Sequence, residues 1–257
     1  MTSFTTYRQQ GVVLVGKENL TKQIMNKIIS SYLTSSVDKQ RGEKKTSDER
    51  GYILDWHESI ISRGLQPIVL HDGLSLEFIT SFPFAQFIKV DPIPEGMSLY
   101  DYRWVIYFEY LLNNPLEKVF FTDISDVVMV NNPFNFMDDA LYCGDEPGLI
   151  RDSEWMRSAL NEPLFFQIGG FKEMIYSDRP LLNCGLLGGS YNKVMAFLDA
   201  FVSIIELVRL RNTPEDKTVD MAIFNYVAQF FPFQHGSPVN SVFKKYEKRD
   251  DVWFIHK

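Results

Sequence analysis

The sequence predicts an α/β domain, a mostly parallel central sheet with helices on both faces and a Rossmann-like first half. Three observations predict it. Short apolar runs rich in β-branched or aromatic residues recur from Gly11 to Thr122, stretches with helical spacing separate them, and polar or acidic residues follow the runs directly. Ligands of such a sheet sit at the carboxyl ends of its strands, so the residues just after each run matter most.

The first run, Gly11–Gly16 (GVVLVG), reads as a buried parallel strand. Asn19–Leu33 follows with Leu20, Ile24, Ile28, Ile29, Tyr32 and Leu33 at helical spacing, which predicts a helix and so the first half of a βαβ unit. Residues 34–50 hold almost nothing apolar and read as a surface loop. The loop closes on Thr46-Ser47-Asp48-Glu49, a capping box for a helix carrying Tyr52, Ile53, Trp56, Ile60 and Ile61, which Gly64 ends. Pro67–Leu70 is a second strand and Phe87–Val90 a third. After the proline-rich link Asp91–Gly96, a helix spans Leu99–Leu112, and Lys118–Thr122 (KVFFT) is a fourth strand.

A length of 257 residues suits one domain, with residues 1 to about 130 as a first half and the rest as a second. A net charge of -7 argues against a phosphate-backbone binder, and nucleic acid is excluded as a partner. No apolar run reaches the roughly 20 residues a bilayer needs, and the polar start has no signal-peptide layout, so a soluble, untargeted cytoplasmic protein is expected. Cys143 and Cys184 have no metal or disulfide spacing and read as reduced packing thiols.

Four clusters can carry chemistry. In Phe120–Val128 an aromatic strand runs into Asp123 and Asp126, carboxylates that repel each other unless a cation lies between them. A turn capped by Asp123 and Ser125 accounts for the same residues. The stretch Leu181–Ser190 (LLNCGLLGGS) either lets backbone approach a ligand or makes a tight turn at a strand end. Asp220 stands in the first turn of an apolar helix, where the helix dipole alone would favour it. The run Asp251–Lys257 delivers His256, a metal-type ligand, and Lys257, a point charge for phosphate, although a frayed tail is the default there.

Taken in order, the nucleotide-binding half, the helix with Asp101-Tyr102-Arg103-Trp104, the acidic strand end FTDISDVV, NCGLLGG, VDMAIFNY and the terminal WFIHK resemble the GT-A class of nucleotide-sugar-dependent glycosyltransferases. Within it the chain is similar to those that chloroviruses use to build capsid glycans, a xylosyltransferase in particular, which places it in the host cytoplasm. The resemblance implies a UDP-sugar donor, a glycan acceptor and Mn²⁺ or Mg²⁺. It implies that one of Asp123 and Asp126 ligates the metal while the other meets ribose, with Ser125 where the second acidic residue of an Asp-x-Asp motif usually stands. His256 would complete the metal site, Lys257 and Arg103 would face the diphosphate, Asn183 and Gly185 would line the sugar pocket, and Asp220 would meet donor or acceptor. If transfer inverts the anomeric centre, a carboxylate base is needed. Asp72, following the strand that ends at Leu70, is the candidate, with Asp220 second, although an Asp-Gly turn alone explains Asp72.

Two rivals stand beside this reading. Gly11–Glu18 nearly matches a phosphate-binding kinase loop, but Glu18 replaces the metal-binding hydroxyl and the intervening residues are strand formers. A non-catalytic nucleotide- or glycan-binding module on the same fold is the other.

Overall fold

The computed structural model describes residues 5–6, 26–38, 42–44, 48–160, 171–209, 219–241 and 249–256. The strand expected at Gly11–Gly16, the kinase-like loop that ends it and Lys257 lie outside the described residues.

An eight-stranded sheet organises the molecule, in the order β1-β6-β5-β2-β7-β10-β9-β11. Its strands are β1 (Thr5–Thr6), β2 (Asn26–Tyr32), β5 (Pro67–His71), β6 (Gln86–Lys89), β7 (Lys118–Thr122), β9 (Leu141–Leu149), β10 (Pro180–Ser190) and β11 (Phe233–His235). The four strands β6, β5, β2 and β7 run parallel, β10 is antiparallel to both β7 and β9, and β11 runs parallel to β9. Two small pairs complete the strands: β3 (Val37–Asp38) with β4 (Glu43–Lys44), and β8 (Val127–Met129) with β12 (Phe254–His256).

Helices cover both faces, as the sequence predicts. On one face lie α3 (Leu99–Asn113), α6 (Tyr191–Arg209) and α7 (Asp220–Ala228), whose Trp104, Tyr107, Phe197, Phe201 and Phe224 form a continuous aromatic core. Tyr107 stacks on Phe121 of β7 with ring centroids 4.3 Å apart. The other face carries α1 (Leu54–Ile61), α2 (Leu76–Thr80) and the β8–β12 pair, packed through Trp56, Phe78, Phe120 and Phe254. Short helices α4 (Glu154–Leu160) and α5 (Phe171–Met174) lie between β9 and β10 in the chain.

Three elements differ from the sequence reading. The stretch expected to be the end of a helix, Asn26–Tyr32, is the strand β2 between β5 and β7. Ile28, Ile29 and Tyr32 fit helical spacing, but they also fit a strand buried on both faces, and Ser30, only 1% exposed, donates to the Thr122 carbonyl at 2.6 Å. Thr46 and Ser47 of the expected capping box lie outside the described residues; a 3-10 turn at Arg50–Tyr52 precedes α1, whose N-cap is Ile53, and the Asp48 carboxylate accepts from Ser75 N at 2.9 Å. The glycine-rich LLNCGLLGGS is no turn but the body of the eleven-residue β10. Its Gly188 sits opposite Phe120, where a Cβ would fall 2.5 Å from the ring, so that glycine serves an aromatic side chain and not a phosphate.

Candidate active site at the carboxyl edge of the sheet

The parallel strands β2, β5 and β7 end on one edge, and Asp123 follows β7 directly. Because β10 runs the other way, Leu186 pairs with Thr122, and Cys184 and Gly185 arrive beside Asp123, whose amide donates to the Gly185 carbonyl at 2.8 Å. Helix α3 brings Arg103 to the same place. Its start is fixed by Ser98, which accepts from Asp101 N and donates to the Asp101 carboxylate at 2.6 Å. Helix α7 opens with Asp220, and β12, paired with β8 at His256 and Val127, brings in His256.

These residues form one buried polar group. The Arg103 guanidinium donates from one nitrogen to Asp123 and from the other to Asp220 Oδ2 at 2.9 Å. Cys184 Sγ lies 3.4 Å from both Arg103 Nη2 and Asp220 Oδ2. His256 Nε2 stands 3.6 Å from the second oxygen of Asp123. Burial raises the Asp123 carboxyl, but Arg103 and then His256 overcome it and hold the group well below the usual carboxylate range. Burial likewise works against charge on Arg103, and Asp123, Cys184 and Asp220 outweigh it. The thiol of Cys184 is pushed up by burial and by Asp220, so it stays protonated and donates.

A cleft opens beside this group, lined by Ser30, Ser31, Tyr52, Tyr100, Arg103, Asp123 and Asp126 among others. Its polar wall comes from the ends of β2 and β7, and Tyr52 and Tyr100 add aromatic lining. Of the sequence candidates, Arg103, Asp123, Asp220, Gly185 and His256 come together in the buried group. Asp126 lines the cleft and its carboxylate accepts from Ser125 Oγ at 2.6 Å. Asn183 reaches the group through Gly185, whose amide donates to Asn183 Oδ1 at 2.6 Å. Among the described residues no three His, Cys, Asp or Glu side chains stand close enough to share an ion.

Asp72 lies apart. Its carboxylate accepts from Thr34 N at 2.7 Å, Thr34 Oγ1 at 3.1 Å and Ser35 N at 3.0 Å, and it is 7% exposed. Three fixed donors suit a brace that ties the chain after β2 to the end of β5, and do not suit a base that must take up a proton. The sequence reading missed Glu146. Half-buried on β9, it accepts from Asn183 Nδ2, which puts a carboxylate one side chain away from Gly185 and Asp123. Nothing near Glu146 in the sequence marks it, since the strand that carries it reaches the site only through pairing with β10.

No protein-family model matches the chain, and no curated protein matches it by sequence. Solved structures do match. The galactosyltransferase LgtC, in complex with donor and acceptor sugar analogs, superposes with a TM-score of 0.52 at 16% identity, over 90% of this chain and 86% of that one. The fold is of the GT-A type. An active-site mutant of LgtC gives the same TM-score at 15% identity and the same coverage. A glycosyltransferase involved in the glycosylation of the major capsid of PBCV-1 covers 90% of this chain and 91% of its own at 13% identity, with a TM-score of 0.46. Within the GT-A fold of this chain, the buried group occupies the carboxyl edge of the sheet, where open α/β sheets bind ligands. No helix among the described residues is long and apolar enough to cross a membrane.

Proposed function

We propose that the chain is a glycosyltransferase that moves a sugar from a nucleotide-sugar donor, a UDP-sugar, to a glycan acceptor. The observation that carries this reading is the Arg103 fork holding Asp123 and Asp220 beside His256 at the carboxyl edge of a GT-A fold. LgtC, solved with donor and acceptor sugar analogs, supports the reaction class. In this reading Tyr52 and Tyr100 offer ring faces to the base, and Ser30, Ser31 and Asp126 offer hydrogen bonds to ribose and phosphate. Lys257, next to His256, adds charge for the diphosphate.

The cation belongs to the same proposal. Asp123 and His256 face each other as two ligands of one ion do, and Asp126 lines the same cleft. A carboxylate and imidazole set suits Mn²⁺ better than Mg²⁺. When bound, the ion neutralises charge that develops on the leaving nucleoside diphosphate. The chain's own contribution is to keep Asp123 ionised through Arg103 and to fix Asp220 against the sugar.

For an inverting displacement, the bond from the anomeric carbon to phosphate breaks as the bond to the acceptor oxygen forms, and the acceptor proton passes to a carboxylate. Glu146 is that carboxylate in this reading, because Asp72 is braced by three donors and Asp220 is held by Arg103. The deciding experiment incubates the protein and Mn²⁺ with a set of UDP-sugars, UDP-xylose first, and follows UDP release and the anomeric signal of the product. Donor turnover with inversion supports the assignment; binding without turnover for every donor would leave a non-catalytic module; retention would remove Glu146 as base.

A further inference from the structure

A second cleft opens on the edge of the sheet, away from the polar group. It encloses about 450 Å³, and its walls include Phe136, Tyr142, Gln234, Trp253, Asp138 and Ser237. That volume lies in the range of small-molecule sites, roughly 300–1,000 Å³. Its composition is unlike that of the first cleft. Phe136 is 62% exposed, a large ring left facing water, while Tyr142 and Trp253 stand edge to face with centroids 5.1 Å apart. The Tyr142 hydroxyl is fixed by accepting from Asp138 N at 2.9 Å, which sets the wall rigidly. Gln234, register partner of Tyr142 across β9 and β11, puts an exposed amide on the same face, and Asp138 and Ser237 add a carboxylate and a hydroxyl.

One exposed ring, Phe136, beside the buried Tyr142 and Trp253 and bordered by an amide, a hydroxyl and one carboxylate, forms a surface that matches a pyranose. The ring's C–H face packs on an aromatic side chain, and its hydroxyls reach outward to donors and acceptors. No lysine or arginine lines this cleft, the imidazole of His235 in its wall is engaged 3.2 Å from Asp145 Oδ2, and Asp138 disfavours an anionic sugar. The position fits as well. Trp253 in the cleft wall and His256 beside Asp123 are three positions apart along the run into β12 that ends the described chain, at most about 10 Å.

We propose that this cleft binds a neutral pyranose unit of the acceptor glycan, remote from the unit that receives the new sugar. The inference rests on the glycosyltransferase reading for its biological sense, but the binding itself can be tested separately. Saturation-transfer NMR with lactose and methyl β-glucopyranoside as probes, and methyl β-glucuronide as the charged control, reads it directly. Both neutral probes receive saturation from the wild-type protein, the glucuronide receives less, and Phe136→Ala or Gln234→Ala weakens the neutral signal about fivefold or more. Asp220→Asn leaves that signal in place. Both cleft residues are exposed or partly exposed at the surface, so the variants fold, and unchanged UDP-sugar hydrolysis in Phe136→Ala verifies it. An absent signal in the wild type, a signal that survives both cleft variants, or one lost in Asp220→Asn would overturn the cleft. Donor turnover without probe binding overturns the cleft alone, whereas probe binding without turnover of any UDP-sugar upholds the cleft and overturns the transferase reading.

Discussion

Gly185 and His256 compete for one space: a Cβ on Gly185 would collide with the imidazole Cε1, and it would lie 2.6 Å from Asp123 Oδ2 and 2.9 Å from Asn183 Oδ1. Gly185→Ala must therefore move His256 or Asp123. Displacements of about 1 Å at a reacting centre cost on the order of 10²-fold in rate, whereas overpacking costs about 1–3 kcal/mol of stability. Gly144→Ala is the control, since its nearest neighbour would be Leu186 at an ordinary 3.4 Å. Turnover and chemical denaturation of both variants check this, and equal turnover in the two would refute the crowding argument.

Arg103 is the sole cation that the Asp123–Asp220 pair shares among the described ion pairs, and it shares it through two different nitrogens. Lysine offers one point charge and cannot hold both carboxylates. Arg103→Lys is expected to unfold at lower denaturant and to lose turnover, and Arg103→Met, which leaves the buried Asp220 carboxylate without its guanidinium, to lose about 3 kcal/mol. Urea midpoints at pH 7 measure both.

Cation binding has a readout independent of turnover. Mn²⁺ at 100 times its Kd raises stability by about 2.7 kcal/mol, so a thermal scan of the wild type with MnCl₂ shifts upward. His256→Ala and Asp123→Asn lose the shift, and EDTA abolishes transfer. An Mn²⁺ shift that persists in both variants would move the ion elsewhere.

Glu146→Gln is expected to leave the KM for donor nearly unchanged and to lower transfer by about 10²–10⁴-fold, the usual worth of a general base. Asp72→Asn should do the opposite. It weakens the brace on Thr34 and Ser35 and so lowers the melting temperature, while the transfer rate per folded molecule holds.

Two histidines make stability depend on pH. His57 and His71 are both lowered from 6.5 to about 4, chiefly by burial; Arg50 adds to this for His57, while for His71 Asp72 opposes it and Lys89 adds to it. Below pH 6.5 the unfolded chain binds protons that the folded one refuses, so stability falls as pH drops from 6.5 toward 4. At pH 5 the loss is about 2 kcal/mol per histidine. Neither ring nitrogen of His57 has a hydrogen-bond partner among the described residues, and the ring packs on Phe82 at 4.9 Å. His57→Phe should therefore flatten the curve of melting temperature against pH by its share, and an unchanged slope would show that His57 is charged in the fold.

Local chemistry was legible where the chain is locally consistent. Pro67–Leu70, Lys118–Thr122 and Leu99–Leu112 read correctly because their composition and their burial agree. Asn26–Tyr32 misread because a stretch buried on both faces carries no period that separates strand from helix. Asp123, Asp220 and His256 stood out one by one, after a strand, at a helix start and in the last run, and Arg103 through the family resemblance; that Arg103 joins both aspartates was not legible, since each arrives on a different element. Glu146 was invisible because it depends on strand pairing, and the three donors to Asp72 were equally so, because an aspartate after a strand looks the same whether it faces a ligand or braces a loop.

The group that joins Arg103, Asp123, Cys184, Asp220 and His256 is also a detector of complete folding. The Arg103–Asp220 contact bridges 117 positions and the Arg103–Cys184 contact 81. Contacts of that span close late and raise the loop-closure cost of folding. A chain that has formed only its parallel strands and the helix between β6 and β7 contains Arg103 and Asp123 but not Cys184, Asp220 and His256, which arrive on later elements. If the chain is the transferase proposed above, turnover should therefore return, on refolding, with the slowest kinetic phase and after far-ultraviolet ellipticity has recovered, so that a simple assay reports the last step of assembly.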